Sequence, residues 1–482
     1  MSAGRGEGAL AIVLHTHMPY VEGFGTWPFG EEWLWEAMVG SYLPLLGLLD
    51  AGAPITLSLT PVLCDQLEAD GIAERFGRFV QEVRRDTHKR DAAGLRAGGH
   101  EQLARELERA WREDYLSALE RFAERSQDLL GAFAAHARWT SSATHAVLPL
   151  LASDAGVRAQ VQSGIASHRR RFGAWDGGFW LPECAFARWL EGTLEEAGVR
   201  AVCVELTGLF GEGSLEHLQP LVGGEGLLLV PIDRATISLV WSQEGYPAHR
   251  DYRDYHRLTT FHHNPWNNAG GAYDRPAALQ RARDDAADFV ARTRARLREA
   301  RESARAPLPA GGLVVCALDT ELLGHWWYEG IAWLAAVVDE CSRQGLELLR
   351  LDDALALHEP RRAPAALSEQ WRASSWGRGG DLSTWSGPPV GELAFAARAG
   401  ELELLAAGAA VSSEAVRALL ALQASDWPFL ITGGLADSYA RERFAGHRRT
   451  LEQALAGVGP EQLAAQLRNI APDARRAALL AA

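Results

Sequence analysis

The chain has 482 residues, a net charge of −14 and a pI near 5.6, with 47% hydrophobic and 23% charged residues. That balance is ordinary for a soluble globular protein, and its acidity argues against nucleic acid or an anionic membrane as partner. No run approaches the ~20 apolar residues of a membrane span, and the five scattered cysteines contain no CxxC pair, so neither a disulfide framework nor a structural zinc site is expected.

The first predicted element is the strand "LAIVLHTH", which lacks the basic leader and cleavage site of a signal peptide; a cytoplasmic address is expected. Its end carries His15 and His17, two apart and so on one face. The pair offers either two metal ligands or two donors to substrate hydroxyls. "PITLSLTPV" is the second strand. Residues 66–137 then read as charged helix, an insertion on the main fold. "RWTSSATHAV" is the third strand, ending at Thr144 and His145. "GFWLPECA", "RAVCVEL", "GLLLVPID" and "GLVVCALDT" follow, with Glu183, Asp233 and Asp319 at or beyond their ends. Helical stretches separate several of these runs, and βα alternation implies a parallel sheet or barrel with its ligand at the carboxyl ends of the strands. After the Pro/Ala-rich connection at 358–370 the pattern is helical to the end, broken by a Trp-rich loop, "SSWGRGGDLSTWSGPP".

Glu183 sits at the centre of an apolar run, "GGFWLPECAFA". Burying a carboxylate there costs several kcal/mol unless it is paired or used. Asp319 opens "DTELLGHWWYEG", where Glu321, His325 and Glu329 are expected at helical spacing. Two carboxyls about 5–5.5 Å apart would serve retaining glycoside cleavage. Among 62 acidic residues many pairs are available, and each acid also reads as a salt-bridged strand end. The 17 tryptophans suggest flat platforms for the C–H faces of sugars, with core filling as the plainer account of any one of them. Cys184 reads as a small packing residue. Lys89 is the only lysine, which excludes most lysine chemistry.

"HTHMPYV", "SSATHAVLPLL", "GFWLPECAFA", "ALDTELLGHWWYEG" and "SDWPFLITGGLADSYARERFAGH" resemble, in order, the five sequence regions of glycoside hydrolase family 57, and among its members the α-1,4-glucan branching enzymes. The resemblance implies an α/β fold: a (β/α)7 incomplete TIM-like barrel at 1–360, with the 66–137 insertion, and an α-helical C-terminal domain at 361–482 closing over the cleft. It implies retaining chemistry on an α-glucan with no metal or cofactor. It also implies roles: Glu183 as nucleophile, Asp319 as acid/base, and His15, His17 and His145 as substrate-binding histidines. Trp376, Trp385, Asp426 and Trp427 match the closing part. Trp27, Trp180, His325 and Trp326 are further candidate sugar contacts. "VWSQEGYPAHRDYRDYHR" resembles the mobile loop of branching members, with Tyr246 as its tyrosine. The segment after it departs from the family pattern and carries His262, His263 and Trp266. α-Glucan hydrolysis, 4-α-glucanotransfer, a metal-dependent barrel hydrolase or deacetylase, and a non-catalytic glucan-binding protein are the alternatives.

Overall fold

A computed structural model describes residues 7–25, 29–224, 226–303, 310–369 and 372–480. Its centre is a parallel sheet made from Gly8–Thr16 (β1), Thr56–Leu59 (β2), Ala137–Ser141 (β3), Gly178–Trp180 (β4) and Ala201–Val204 (β5). Leu221–Val222 (β6) and Leu228–Pro231 (β7) follow, then Gly312–Asp319 (β8), Glu347–Leu349 (β9) and Arg361–Arg362 (β10). The strand order is β10-β6-β7-β5-β4-β3-β2-β1-β8, with β9 beside β1; only β6 and β7 pair antiparallel.

All seven predicted strands are present in this sheet. β1 and β8 are buried almost throughout and, between a leading glycine and their polar carboxyl ends, consist of Val, Ile, Leu, Ala and Cys, as expected of strands covered on both faces. The short strands β6, β9 and β10, two or three residues each, were not expected; such lengths carry no readable period. Between β7 and β8 the ring stays incomplete. There the Asp233 backbone N–H donates to the Val315 carbonyl at 2.9 Å.

The segment from β2 to β3 is helical, from Pro61–Leu67 to Leu129–Phe133. The C-terminal helices, among them Gly391–Ala407, Ser413–Leu422, Asp426–Thr432 and Asp437–Leu455, share a core of Val416, Leu419, Leu420, Trp427 and Leu451. Tyr20, Val62, Ala143 and Ala159 from the barrel side enter the same core. The helices are therefore packed onto the carboxyl side of the sheet, not tethered to it.

Register then places the chemistry. β1 pairs with β8 so that His15 lies opposite Asp319, and Thr16 Oγ1 meets Thr320 Oγ1 at 2.7 Å one residue on. The stretch after β8 corrects the expected helical spacing: Thr320–Leu322 is a single 3-10 turn, and the helix begins only at Gly330. Gly324, at φ 101°, makes this compact, because a Cβ there would overlap the Gly40 carbonyl. That approach sets the turn Met38–Tyr42 against the site. Gly324→Ala is expected to lower unfolding free energy by roughly 2–4 kcal/mol, from a strained φ together with overpacking; urea denaturation reads it.

Candidate active site

Glu183 does not lie on a strand. β4 ends at Trp180, and Pro182–Cys184 forms a 3-10 turn in which Glu183 has φ 64°, ψ 19° and Cys184 φ 48°. Left-handed backbone at a non-glycine residue costs of order 1–3 kcal/mol and persists where the surroundings enforce it. They do so here, since the Trp376 N–H donates to the Glu183 carbonyl at 3.0 Å. Cys184 is fully buried, and burial pushes its thiol well above the ordinary range, which suits packing and not nucleophilic attack.

The carboxylate oxygens of Glu183 are each held by one donor. Trp376 Nε1–H reaches Oε2 at 2.9 Å, and the Ser425 hydroxyl reaches Oε1 at 3.0 Å. Burial raises Glu183 to about 7; the bonds from Trp376 and Ser425 pull it down, and the Asp319 charge pushes it up. Asp319 ends β8 with its side chain open to the cleft. Burial of its surroundings raises it to about 6, against the lowering charge of His17. The two values are too close to assign roles, but the hydrogen bonds differ: Glu183 receives two donors, which favour its ionised form, whereas among the described residues no donor bonds the Asp319 carboxyl.

Three histidines line the carboxyl ends of β1 and β3. His15 Nε2 and His145 Nε2 are 2.9 Å apart, His15 Nδ1 lies 3.3 Å from Ser58 Oγ, and His145 Nδ1 lies 2.8 Å from Ser425 Oγ. Burial drives both imidazoles well below their usual pKa, so they are neutral. His17 differs. Its Nε2 meets Asp426 Oδ1 at 2.8 Å and its Nδ1 meets Thr60 Oγ1 at 3.2 Å. Burial opposes its charge, but Asp426, Glu321 and Glu183 outweigh that and raise it. Its charged form is thereby favoured.

His17, His145 and Asp426 place ligand-type atoms within 4.8 Å of one another. The His17 and His145 rings, however, stack face to face, with centroids 3.9 Å apart and planes 21° apart. Lone pairs in stacked planes run side by side and do not converge on one ion, so the donor set fits a metal poorly.

A third acid, Glu321, is buried nearby. Its Oε1 accepts from Tyr42 Oη at 2.6 Å and from the His17 N–H at 3.1 Å, and burial raises it to about 8. Burial thereby favours its neutral form.

The other expected contacts divide. Trp376 and Asp426 join the carboxylate cluster as described. Trp180, Trp385 and Trp427 are at most 1% exposed, so their ring faces are covered and offer no sugar platform. Trp180 stacks on His15 at 4.6 Å, Trp385 packs on Val147 and Ala185, and Trp427 donates from Nε1 to the Ala421 carbonyl at 3.0 Å. Trp35, Trp139, Trp327 and Trp333 are core residues too, so seven of the 17 tryptophans are buried packing residues. Tyr246 is tied down, its hydroxyl donating to Asp288 at 2.8 Å on the long helix Arg275–Ser303. Trp266 is nearly buried within its loop beneath the Arg257 guanidinium. His263 is buried against Asp91 at 2.8 Å, and Asp233 pairs with Arg296 as a structural ion pair. His325 and Trp326 are half-buried, and Tyr255 stacks on Trp326 at 4.9 Å with Trp241 at its edge. Trp27 lies outside the described residues.

Sequence reasoning missed Ser425, Ser58, Thr60 and Tyr42. Ser425 immediately precedes the "DW" pair of the fifth region, and that adjacency was the one available signal.

Residues 138–366 match the profile described as glycosyl hydrolase family 57, and residues 397–474 match 1,4-alpha-glucan branching enzyme, C-terminal. The 1,4-alpha-glucan branching enzyme of Thermococcus kodakarensis is 31% identical, over 92% of this chain and 72% of that protein. The chain belongs to glycosyl hydrolase family 57. A probable 1,4-alpha-glucan branching enzyme of Mycobacterium tuberculosis is 32% identical, over 92% of this chain and 90% of its own length. Among solved structures, the family 57-type branching enzyme of Pyrococcus horikoshii superposes with a TM-score of 0.87 at 28% identity, covering 98% of this chain and 97% of that one. The incomplete barrel with a helical C-terminal region is thus the architecture of this family.

Proposed function

We propose that this family 57 protein is a 1,4-α-glucan branching enzyme working by retaining double displacement, with Glu183 as nucleophile and Asp319 as acid/base. The observation that carries the assignment of roles is the hydrogen-bonding difference between the two acids: Glu183 holds two donors and Asp319 none among the described residues. Relatives with branching activity in their names, aligned over nearly the whole chain, support the reaction type.

In the first half-reaction Glu183 attacks C1 of an α-1,4-linked glucose. The C1–O4 bond breaks, and the Asp319 proton passes to O4. A β-linked glycosyl ester forms, and the cut chain end departs. In the second, Asp319, now a carboxylate, takes the proton of an incoming C6 hydroxyl as its oxygen attacks C1. The ester bond breaks, Glu183 is regenerated, and an α-1,6 branch results. His17 lies near both acids, and its charged form favours whichever of them carries negative charge. Water competes with the acceptor at ~55 M, so branching depends on a cleft that positions sugar and excludes solvent.

The proposed partner is an α-glucan of the storage type, as in glycogen assembly. A cytoplasmic setting agrees with five free, buried cysteines. No described helix is long and apolar enough to cross a membrane. Incubation with amylose, followed by proton NMR, is expected to show new α-1,6 anomeric signals without a matching rise in reducing ends. Reducing ends rising without branches would make the protein an α-glucan hydrolase; redistributed linear chains would make it a 4-α-glucanotransferase.

A further inference from the structure

The resemblance to family 57 implies that His15 and His145 bind substrate. Their hydrogen bonds leave no ring nitrogen free to do so in this structure. Ser58, His15, His145, Ser425 and Glu183 form one chain of contacts, with steps of 3.3, 2.9, 2.8 and 3.0 Å. Ser58, His15, His145 and Ser425 are each at most 3% exposed.

The direction of every bond follows from the last one. An ionised Glu183 only accepts, so the Ser425 hydroxyl donates to Oε1. The Ser425 oxygen then accepts from His145 Nδ1–H. A neutral imidazole has a single N–H, so His145 Nε2 is the acceptor and His15 Nε2–H is the donor. That leaves His15 Nδ1 to accept from the Ser58 hydroxyl. The His15 and His145 ring centroids lie 4.9 Å apart with planes 22° apart. Trp180 fixes the tilt of His15 by stacking on it at 4.6 Å, planes 12° apart. Reversing any one bond would put two donors or two acceptors face to face further along.

Backbone strain sits at the same two places. His145 has φ 58° and Glu183 φ 64°. Both are held from the C-terminal side, His145 by the Ser425 N–H on its carbonyl at 3.1 Å and Glu183 by the Trp376 N–H on its carbonyl at 3.0 Å.

We propose that Ser58, His15 and His145 are positioning residues that act through Ser425 to orient the Glu183 carboxylate and keep it ionised, in place of contacting the sugar. Burial keeps both histidines neutral, which the one-way order needs. His17 stands outside the relay, bonded to Asp426 and Thr60. The groups facing Glu183 are Asp319 from β8, His17 from β1, His145 from the end of β3, and Trp376 and Ser425 from the C-terminal side. The relay rests on Glu183 being the nucleophile of the reaction proposed above, but it does not depend on which acceptor is used.

The test compares Ser425→Ala, Ser425→Thr, His145→Asn and His15→Phe, the last keeping a ring on Trp180, together with Ser425→Ala combined with each histidine change. Each variant is first shown to melt cooperatively. Rates are scored as total α-1,4 cleavage on amylose, so a failure of branching is seen separately and leaves the comparison intact. Ser425→Ala is expected to lower kcat about 10–100-fold with KM within twofold, the scale of a hydrogen bond to a charged group. The acid limb of its pH profile should move up by roughly one unit, because a donor favouring the ionised form is gone. A carbon-13 carboxyl NMR titration of Glu183 should show the same rise without any turnover. Ser425→Thr restores most of both. Each histidine change lowers kcat alone but adds less than twofold to Ser425→Ala. Histidine variants that raise KM at constant kcat, with effects undiminished in the Ser425→Ala background, would overturn the relay and return both residues to sugar binding.

Discussion

Glu183→Gln is expected to lower kcat by about four to six orders of magnitude while the protein still binds glucan within a few-fold of the parent affinity. The amide occupies the same volume, and its oxygen still accepts from Trp376 Nε1–H. What disappears is the negative charge that makes the oxygen a nucleophile toward C1. A second effect follows at the other end: the amide NH2 would face the Ser425 hydroxyl, which now donates to Oε1. Ser425 must turn to accept, and its bond from His145 is disturbed. Affinity electrophoresis on glycogen together with reducing-end release measures both quantities. Retention of more than a hundredth of the parent rate would remove Glu183 as the nucleophile.

Asp319→Asn is expected to cost about 10²–10⁴-fold on natural glucan, the usual contribution of a general acid. The loss should be much smaller for a maltooligosaccharide with a leaving group that departs unprotonated. With that substrate, azide accelerates the second step. It attacks C1 of the β-linked ester, displaces Glu183 without surrendering a proton, and yields an α-glycosyl azide. That anomer is diagnostic, because an inverting enzyme would not give it. The pH profile adds a check. Parent activity falls as pH rises through the acid's pKa, since the proton donor is being lost, and the asparagine variant should lack that limb. A β-azide, or an unchanged limb, would sink the assignment.

Much of the barrel was readable because a strand covered on both faces must be apolar along its length, and β1 and β8 are. At their carboxyl ends His15 and Asp319 are polar where that rule ends, and pairing brings them opposite each other. Glu183 was visible as a charge inside an apolar run, but its place on a strained turn was not, since left-handed φ at a glutamate has no compositional mark. Tryptophan misled for a related reason. A large ring serves a core as well as a sugar, and Trp180, Trp385 and Trp427 serve the core. Tyr246 and the spacing after Asp319 misled because loop conformation follows from distant partners, Asp288 in one case and Gly40 in the other. Ser425 was invisible as a partner of Glu183. It lies 242 positions from that residue, and one serine among many carries no signal until folding brings it to a carboxylate.

Both hydrogen bonds on the nucleophile come from residues far downstream of the barrel strands β1–β8. A chain still emerging from the ribosome, with all seven predicted strands already made, possesses its pair of acids but neither clamp on the attacking one. Such a nascent chain holds neither donor on its nucleophile until Trp376 and Ser425 have been made, so its cutting of polymer is expected to be slow until then.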